Sequence, residues 1–259
     1  MLTMHKQILS KIRIIPKLEI KNKYLIKGVK FEGLRKLGDP VLFAKKYYDD
    51  SADQINIIDI VASLYSRDNI YDIINKITNN IFIPVNVGGG IQDIEHIKKL
   101  LTCGADRIII NSAALRNINF LKEIKNIFGD QFLSVSIEAK KIKDKYYCMM
   151  DHGRENSNIE IKDWVKQLNE MAIGEIILNS IDHDGMKNGF EISLINEVYD
   201  IIKCPLVVSG GAQSLDDFSS VLSNFKLDGL CSSTALHFND LNIINIKKHL
   251  KQKKFFINF

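Results

Sequence analysis

Residues 85–115 read VNVGGGIQDIEHIKKLLTCGADRIIINSAAL, and residues 206–236 read LVVSGGAQSLDDFSSVLSNFKLDGLCSSTAL. Each is an apolar run, a cluster of glycines, a helix-length amphipathic segment, a second apolar run and a small polar group. The offset of roughly 120 residues is far longer than the period of a solenoid repeat. It describes a chain made of two similar halves, each with four βα units. Working outward, the strand candidates are IRIIPKLEI, QINIIDI, IFIPVNV, RIII, FLSVSI, EIILNS, PLVVS and LDGLCSS. Helical patterns fall near 40–50, 68–79, 92–102, 117–128, 160–172, 191–202, 214–224 and 239–251,. Strict βα alternation implies parallel strands joined by crossover helices. The expected fold is therefore α/β, a single (β/α)8 barrel with half-barrels at about 1–125 and 126–259,. A doubly wound open sheet would use fewer strands and a dinucleotide fingerprint, which the chain lacks.

Composition bounds what such a barrel can do. With 259 residues and 46% hydrophobic content the chain can bury a sizeable core,. No apolar run approaches a membrane span, and MLTMHKQILSKIR has neither a secretory h-region nor a cleavage site, so a cytoplasmic protein with no membrane partner is expected,. Cys103, Cys148, Cys204 and Cys231 have no paired spacing and read as reduced thiols, with no metal site or disulfide framework,. The net charge of +4 is modest. The basic stretch KKHLKQKK is a solvated helix end or a contact for an anion, and nothing suggests a nucleic-acid partner,.

The repeated segments carry chemistry. Gly88, Gly89 and Gly90 follow one strand, and Gly210 and Gly211 follow its counterpart. Tight turns use glycine for geometry alone, but glycine also lets backbone N–H groups approach an anion. One βα unit later, Asn111 and Ser112 in the first half match Ser233 and Thr234 in the second. Backbone amides at such helix starts suit phosphate oxygens. Two copies at matched offsets predict a substrate with a phosphate at each end. A second echo lies in IIPKLEIK and SVSIEAKK, which put Glu19 and Glu138 at equivalent strand ends. Either glutamate alone could turn to solvent or pair with a lysine. As a pair at the mouth of a barrel they can divide acid and base roles, provided their surroundings separate their pKa values.

IIPKLEIKNKYLIKGVKFEGLRKLGDP, INIIDI, VGGGI, NSAAL, LNSIDHDGMKNGF and SGGAQS, in that order, make nearly the whole chain resemble the cyclase subunit of imidazole glycerol phosphate synthase. KGVKFEGLRKLGDP and IDHDGMKNGF separate it from the related isomerase of histidine biosynthesis. The resemblance implies a lyase in a heterodimer with a glutaminase, using no cofactor. Ammonia released below the barrel crosses its interior to a doubly phosphorylated aminoimidazole-carboxamide ribonucleotide at the mouth. It further implies catalytic roles for Glu19 and Glu138, and substrate contacts from Lys27, Asp184 and Gly185. Arg13, Gln54, Arg107 and Glu175 fall on an ammonia gate, and Asp106 on the glutaminase interface.

The departures are specific. Both catalytic aspartates of the family are glutamates here, and a displacement on the order of 1 Å can cost about a hundredfold. Gln54 is neutral where the family has a carboxylate. Lys17 shares the inward face of its strand with Arg13, Ile15 and Glu19, where the family has a small uncharged residue,. A buried ammonium is costly unless paired, so Lys17 is expected to contact a carboxylate, Glu19 first, or to be neutral through a depressed pKa; a strand shift would instead turn both residues outward. His152 and His183 read as solvent-exposed loop residues, or else as acid/bases near the mouth, and Trp164 as an anchor between helix and barrel. Two alternatives to the cyclase follow from these departures. One is a paralogue that delivers ammonia for amidation of another acceptor such as a surface sugar. The other is a non-catalytic conduit that activates its glutaminase.

Overall fold

The computed structural model describes residues 11–60 and 68–258. Eight parallel strands close into a ring: β1 (Arg13–Lys21), β4 (Ile55–Asp59), β5 (Val85–Gly88), β6 (Arg107–Ile110), β7 (Leu133–Ile142), β10 (Glu175–Ser180), β11 (Leu206–Ser209) and β12 (Gly229–Ser232). Pairing of β12 with β1 and of β10 with β7 completes the ring. Helices α1 (Pro40–Asp49), α2 (Asp68–Thr78), α3 (Ile94–Thr102), α5 (Asn119–Phe128), α6 (Ile161–Met171), α7 (Ile192–Val198) and α8 (Leu215–Asn224) are the crossovers, and α10 (Ile243–Gln252) follows the last strand. The fold is the expected (β/α)8 barrel. Short helices α4 (Ser112–Arg116) and α9 (Thr234–His237) open the last unit of each half.

Two antiparallel hairpins extend the expected strand set. β2 (Tyr24–Val29) and β3 (Glu32–Gly38) follow β1, and β8 (Lys145–Met150) and β9 (Glu155–Glu160) follow β7. They occupy equivalent places in the two halves and rise over the mouth.

Period-2 alternation sorts the strand residues onto two faces. Ile14, Leu18, Ile57, Val87, Ile108, Val135, Leu178, Val208 and Leu230 join the core between strands and helices. Ile15, Ile109, Ile177, Val207 and Cys231 point the other way and fill the barrel interior. At the bottom, Asp53, Asp106 and Asp228 act alike. Each carboxylate accepts the backbone N–H of a strand start, Ile14, Val85 and Leu206 respectively, at 2.8, 2.8 and 2.9 Å. Asp106 thus clamps a strand while its residue as a whole stays exposed.

Trp164 on α6 is 1% exposed and lies within the core between barrel and helices. Truncating a buried tryptophan loses its transfer free energy and leaves a cavity. Trp164→Ala is expected to destabilise the chain by about 3–5 kcal/mol in urea unfolding. A loss under about 1 kcal/mol would mean that the helix collapses onto the barrel without it.

Candidate functional site

Four ionised side chains meet at the mouth. Lys17 on β1 places Nζ 2.9 Å from Glu19 Oε1 and 3.3 Å from Asp184 Oδ2. Lys27 on the hairpin strand β2 places Nζ 2.9 Å from Glu19 Oε2 and 2.5 Å from Asp184 Oδ1. All four residues are at most 7% exposed. Two ammoniums and two carboxylates alternate in a closed, charge-neutral ring, which is the arrangement that makes burial of ions tolerable. Lys17 therefore has the carboxylate contact its inward position requires. Burial works against its charge, but Glu19 and Asp184 outweigh this and hold the ammonium above the ordinary lysine value. Burial likewise works against ionised Glu19, yet Lys17 and Lys27 hold it well below the usual carboxylate range.

Glu138 occupies the same place on β7 and has none of these partners. Ser136 stands two residues before it, where Lys17 stands before Glu19. Burial pushes its pKa up to about 7; Lys17 opposes this and the charges of Glu19 and Asp184 add to it. Its Oε2 is buried without a hydrogen bond. The two glutamates are thus one fixed anion and one group that titrates near neutrality.

Glu138 lines a cavity of about 570 Å³ that opens at the mouth. Gly89, Gly90, Asn111 and Ser112 lie on one wall. Across the barrel axis, a smaller recess is lined by Asp184, Gly185, Gly210, Gly211, Ser233 and Thr234. The recesses are built alike. Gly89 and Gly210 have φ of +98° and +102°, values that L side chains rarely adopt. A Cβ would fall 2.0 Å from the carbonyl oxygen of Asp59 and 2.6 Å from that of Ser180, the last residues of the neighbouring strands. Asn111 and Ser233 precede α4 and α9 with similar backbone angles, φ −130° and −125°. The sequence repeat thus becomes a pair of glycine-backed recesses facing each other across the mouth.

The structure also adds residues to the cavity. Asn179 on β10 pairs in register with Glu138 and has a buried, unpartnered Oδ1. The alternation of EIILNS would have indicated its inward direction. His152 departs from the exposed-loop reading: it stacks on Phe31 of the β2–β3 hairpin at 4.3 Å with 11° between the rings. Its Nε2 is buried without a partner, and burial pushes its pKa down to about 4 despite the nearby Glu19 charge. A local reading had no sign of this contact, which joins residues far apart in the chain. His183 is partly buried, with Nδ1 2.8 Å from the Gly189 carbonyl oxygen. Arg154 lines the outer cavity.

At the opposite end, Arg13 donates to Glu175 Oε2 at 2.5 Å and to Gln54 Oε1 at 2.9 Å. Gln54 in turn donates to Asn56 Oδ1 at 2.7 Å. Three of the four expected gate residues are thus joined. Arg107 makes no side-chain hydrogen bond among the described residues. No group of three metal-ligating side chains occurs among the described residues, and none of the described helices is long and apolar enough to cross a membrane.

This geometry coincides with clear sequence relationships. Residues 13–242 match the family described as histidine biosynthesis protein. Subunit HisF of imidazole glycerol phosphate synthase from Natranaerobius thermophilus is 38% identical over 241 residues, 93% of this chain and 96% of that protein. The subunit HisF of Clostridium botulinum is 37% identical, over 93% of this chain and 96% of its own. That of Legionella pneumophila is 40% identical, over 82% and 100%. The chain belongs to the histidine biosynthesis protein family and, within it, to the enzymes that form the cyclase subunit of imidazole glycerol phosphate synthase.

The ring has a pH signature. Lys17, raised in the folded state, contributes stability that is fully present below the unfolded value near 10.4 and is lost as pH rises toward the folded one. Glu19, lowered in the folded state, contributes stability present above about 4.3 and lost as pH falls toward its folded value. Lys17→Met is expected to cost about 3–5 kcal/mol at neutral pH, because Glu19 and Asp184 are left sharing one lysine. It should also shift acid unfolding to higher pH and remove the alkaline decline. Denaturant midpoints across the pH range would check this, and a profile indistinguishable from that of the parent chain would refute the pairing.

Proposed function

We propose that the chain takes ammonia from a glutaminase partner and uses it at the mouth. There it cleaves and cyclises phosphoribulosyl-formimino aminoimidazole-carboxamide ribonucleotide into imidazole glycerol phosphate and aminoimidazole-carboxamide ribonucleotide. The observation that carries this reading is the pair of unlike glutamates set between two matched recesses. One recess, with Gly89, Gly90, Asn111 and Ser112, holds one terminal phosphate through backbone N–H groups and small polar side chains. The other, with Gly185, Gly210, Gly211, Ser233 and Thr234, holds the second. Held at both ends, the substrate lies across the barrel axis with its reacting centre over Glu19 and Glu138.

Glu138 is the proton-transfer group. With a pKa of about 7, it exists in both protonation states at neutral pH and can give or take a proton without a large penalty. Glu19 stays anionic, offsets positive charge that develops on the reacting nitrogen atoms, and fixes Lys27 and its hairpin over the site. His152, neutral at pH 7, lines the same cavity. Arg13, Gln54, Arg107 and Glu175 serve as the entry for ammonia from a glutaminase docked at the barrel bottom, where Asp106 is exposed. That docking makes a heterodimer, and the location proposed for it is the cytoplasm.

Lys17 supports a second reading. Its ammonium engages the carboxylate that the reaction would otherwise leave more open, which fits a paralogous barrel delivering ammonia to another acceptor. The readings separate in one assay. Purified barrel given ammonium salt and the histidine-pathway substrate should turn over, and its gene should restore growth to a histidine auxotroph lacking the cyclase. No turnover and no growth, with glutaminase binding kept, would transfer the chain to the second reading.

Glu138→Gln provides a finer check. A carboxyl whose folded pKa exceeds its unfolded value destabilises the native state as pH rises between the two. Replacement should therefore raise stability above pH 7 by about 3 kcal/mol while lowering kcat by about 10²–10⁴. A variant that loses activity without gaining stability would show that burial does not set the Glu138 pKa.

A further inference from the structure

Glu191 is a buried carboxylate outside the four-membered ring of the mouth, and its partners among the described residues are all hydroxyls. Tyr146 Oη donates to Oε1 at 2.5 Å, Ser180 Oγ donates to Oε2, and Ser193 Oγ reaches Oε1 at 3.4 Å. A buried carboxylate is costly unless it is well hydrogen-bonded, and here each oxygen addresses a different element. Tyr146 lies on β8, in the second hairpin, and Ser180 ends β10. Burial pushes the Tyr146 hydroxyl up to about 12, so it keeps the proton that it donates. Ser180 Oγ accepts the backbone N–H of His183 at 3.1 Å. A backbone N–H only donates, which leaves the serine's own hydrogen for Glu191.

Ser180 and Glu191 stand at the two ends of the loop between β10 and α7, and this loop backs the second recess. It carries Asp184 and Gly185. Gly189 donates its N–H to the Gly211 carbonyl oxygen at 3.0 Å, and a Cβ on Gly210 would fall 2.6 Å from the carbonyl oxygen of Ser180. The first hairpin holds the loop from one side, through Lys27 on Asp184 and through the Lys30 N–H on the Asp184 carbonyl oxygen at 2.8 Å. Tyr146 holds it from the other side through Glu191. The first recess meets the second hairpin directly: Asn111 donates to the Met149 carbonyl oxygen at 3.1 Å, and Ser112 Oγ accepts the Asp151 N–H at 2.9 Å. One hairpin thus braces both recesses, and only the second depends on Glu191 for it.

We propose that Glu191 is a positioning residue for the second recess. By tying Tyr146 of the second hairpin to Ser180, it sets the loop of residues 181–190 in the conformation that presents Gly185, Gly210 and Gly211 to a phosphate group. The identity of that ligand rests on the function proposed above, whereas the clasp does not.

The test compares the full chain with Tyr146→Phe, Glu191→Gln and the double variant. Hydrogen exchange is read at the backbone amides of His183, Asp184, Met186 and Gly189, all hydrogen-bonded in the parent chain. Each single substitution should speed their exchange about tenfold, the equivalent of one hydrogen bond to a charged group, with the amides of β4, β5 and β6 unchanged. Unchanged exchange in the loop, or acceleration spread evenly over the barrel, would overturn the assignment. Titration with inorganic phosphate, followed at glycine amides, should show a Kd weakened about tenfold at Gly185, Gly210 and Gly211 in both single variants, and an unaltered one at Gly89 and Gly90. The double variant should bind phosphate no more weakly than Glu191→Gln alone, since Tyr146 then has no carboxylate left to serve; additive losses would mean that the two residues act independently, against the clasp. With substrate and ammonium salt, KM should rise by a like factor at unchanged kcat, and a fall in kcat at unchanged KM would refute a positioning role. A parent chain that takes no phosphate at Gly185, Gly210 and Gly211 would defeat the reading of the recess and leave the exchange result standing, so the two ideas fail separately.

Discussion

The neutral ring of Lys17, Glu19, Lys27 and Asp184 governs the mouth of this barrel. It joins β1, the hairpin that follows it and the loop after β10, the last of these 157 residues beyond Lys27 in the chain. Ions buried this deeply are stable only while every partner is present. The lysine on the hairpin therefore fixes more than its own strand. With Lys27 drawn under the rim, Lys30 donates its backbone N–H to the Asp184 carbonyl oxygen at 2.8 Å. Phe31 is brought against His152. The closed position of the hairpin and the burial of the histidine both follow from a charge pattern on the barrel wall.

The same ring breaks the twofold symmetry that built the fold. Glu19 and Glu138 stand at equivalent strand ends, and symmetric surroundings would give them similar proton affinities. Mutual repulsion would then shift one of them by an amount that neither backbone position dictates. Here two lysines address one glutamate and serine replaces one of them near the other. The difference in ionisation is consequently built into the sequence at position 17 against position 136. The half-chain repeat gives two matched recesses, while the inward Lys17, whose counterpart is Ser136, makes the two glutamates unequal in the way that acid/base chemistry needs,.

How much of this could be read in the chain follows from the range of the interactions. Strand directions, the half-barrel echo and both glutamates come from local periodicity, which is strong because the parallel strands are buried on both faces. The inward path of Lys17 was legible for the same reason. The hairpins at 24–38 and 145–160 were harder, since KYLIKGVK and KYYCMM carry apolar residues on both faces and resemble loop or strand equally. The stacking of His152 on Phe31 and the partner set of Asp184 depend on contacts that only the closed barrel creates. Asn56 was hidden differently. It sits inside INIID, where an apolar average conceals that the polar residue takes the inward position.

The cluster of Arg13, Gln54 and Glu175 shows why a departure in sequence needs a partner before it can be interpreted. Gln54 reads as the loss of an acid when taken alone. A carboxylate, however, only accepts hydrogen bonds, so it could satisfy Arg13 but not reach the carbonyl oxygen of Asn56. The amide does both, at 2.9 and 2.7 Å. Glu175 already neutralises Arg13, and a second acid at this place would add uncompensated negative charge. The neutral amide extends the hydrogen-bonded line inward without adding charge, from an ion pair at the bottom to Asn56 within an apolar barrel. Gln54 and Asn56 thus form one device, in which the residue that gave up the charge is the residue that orients the next.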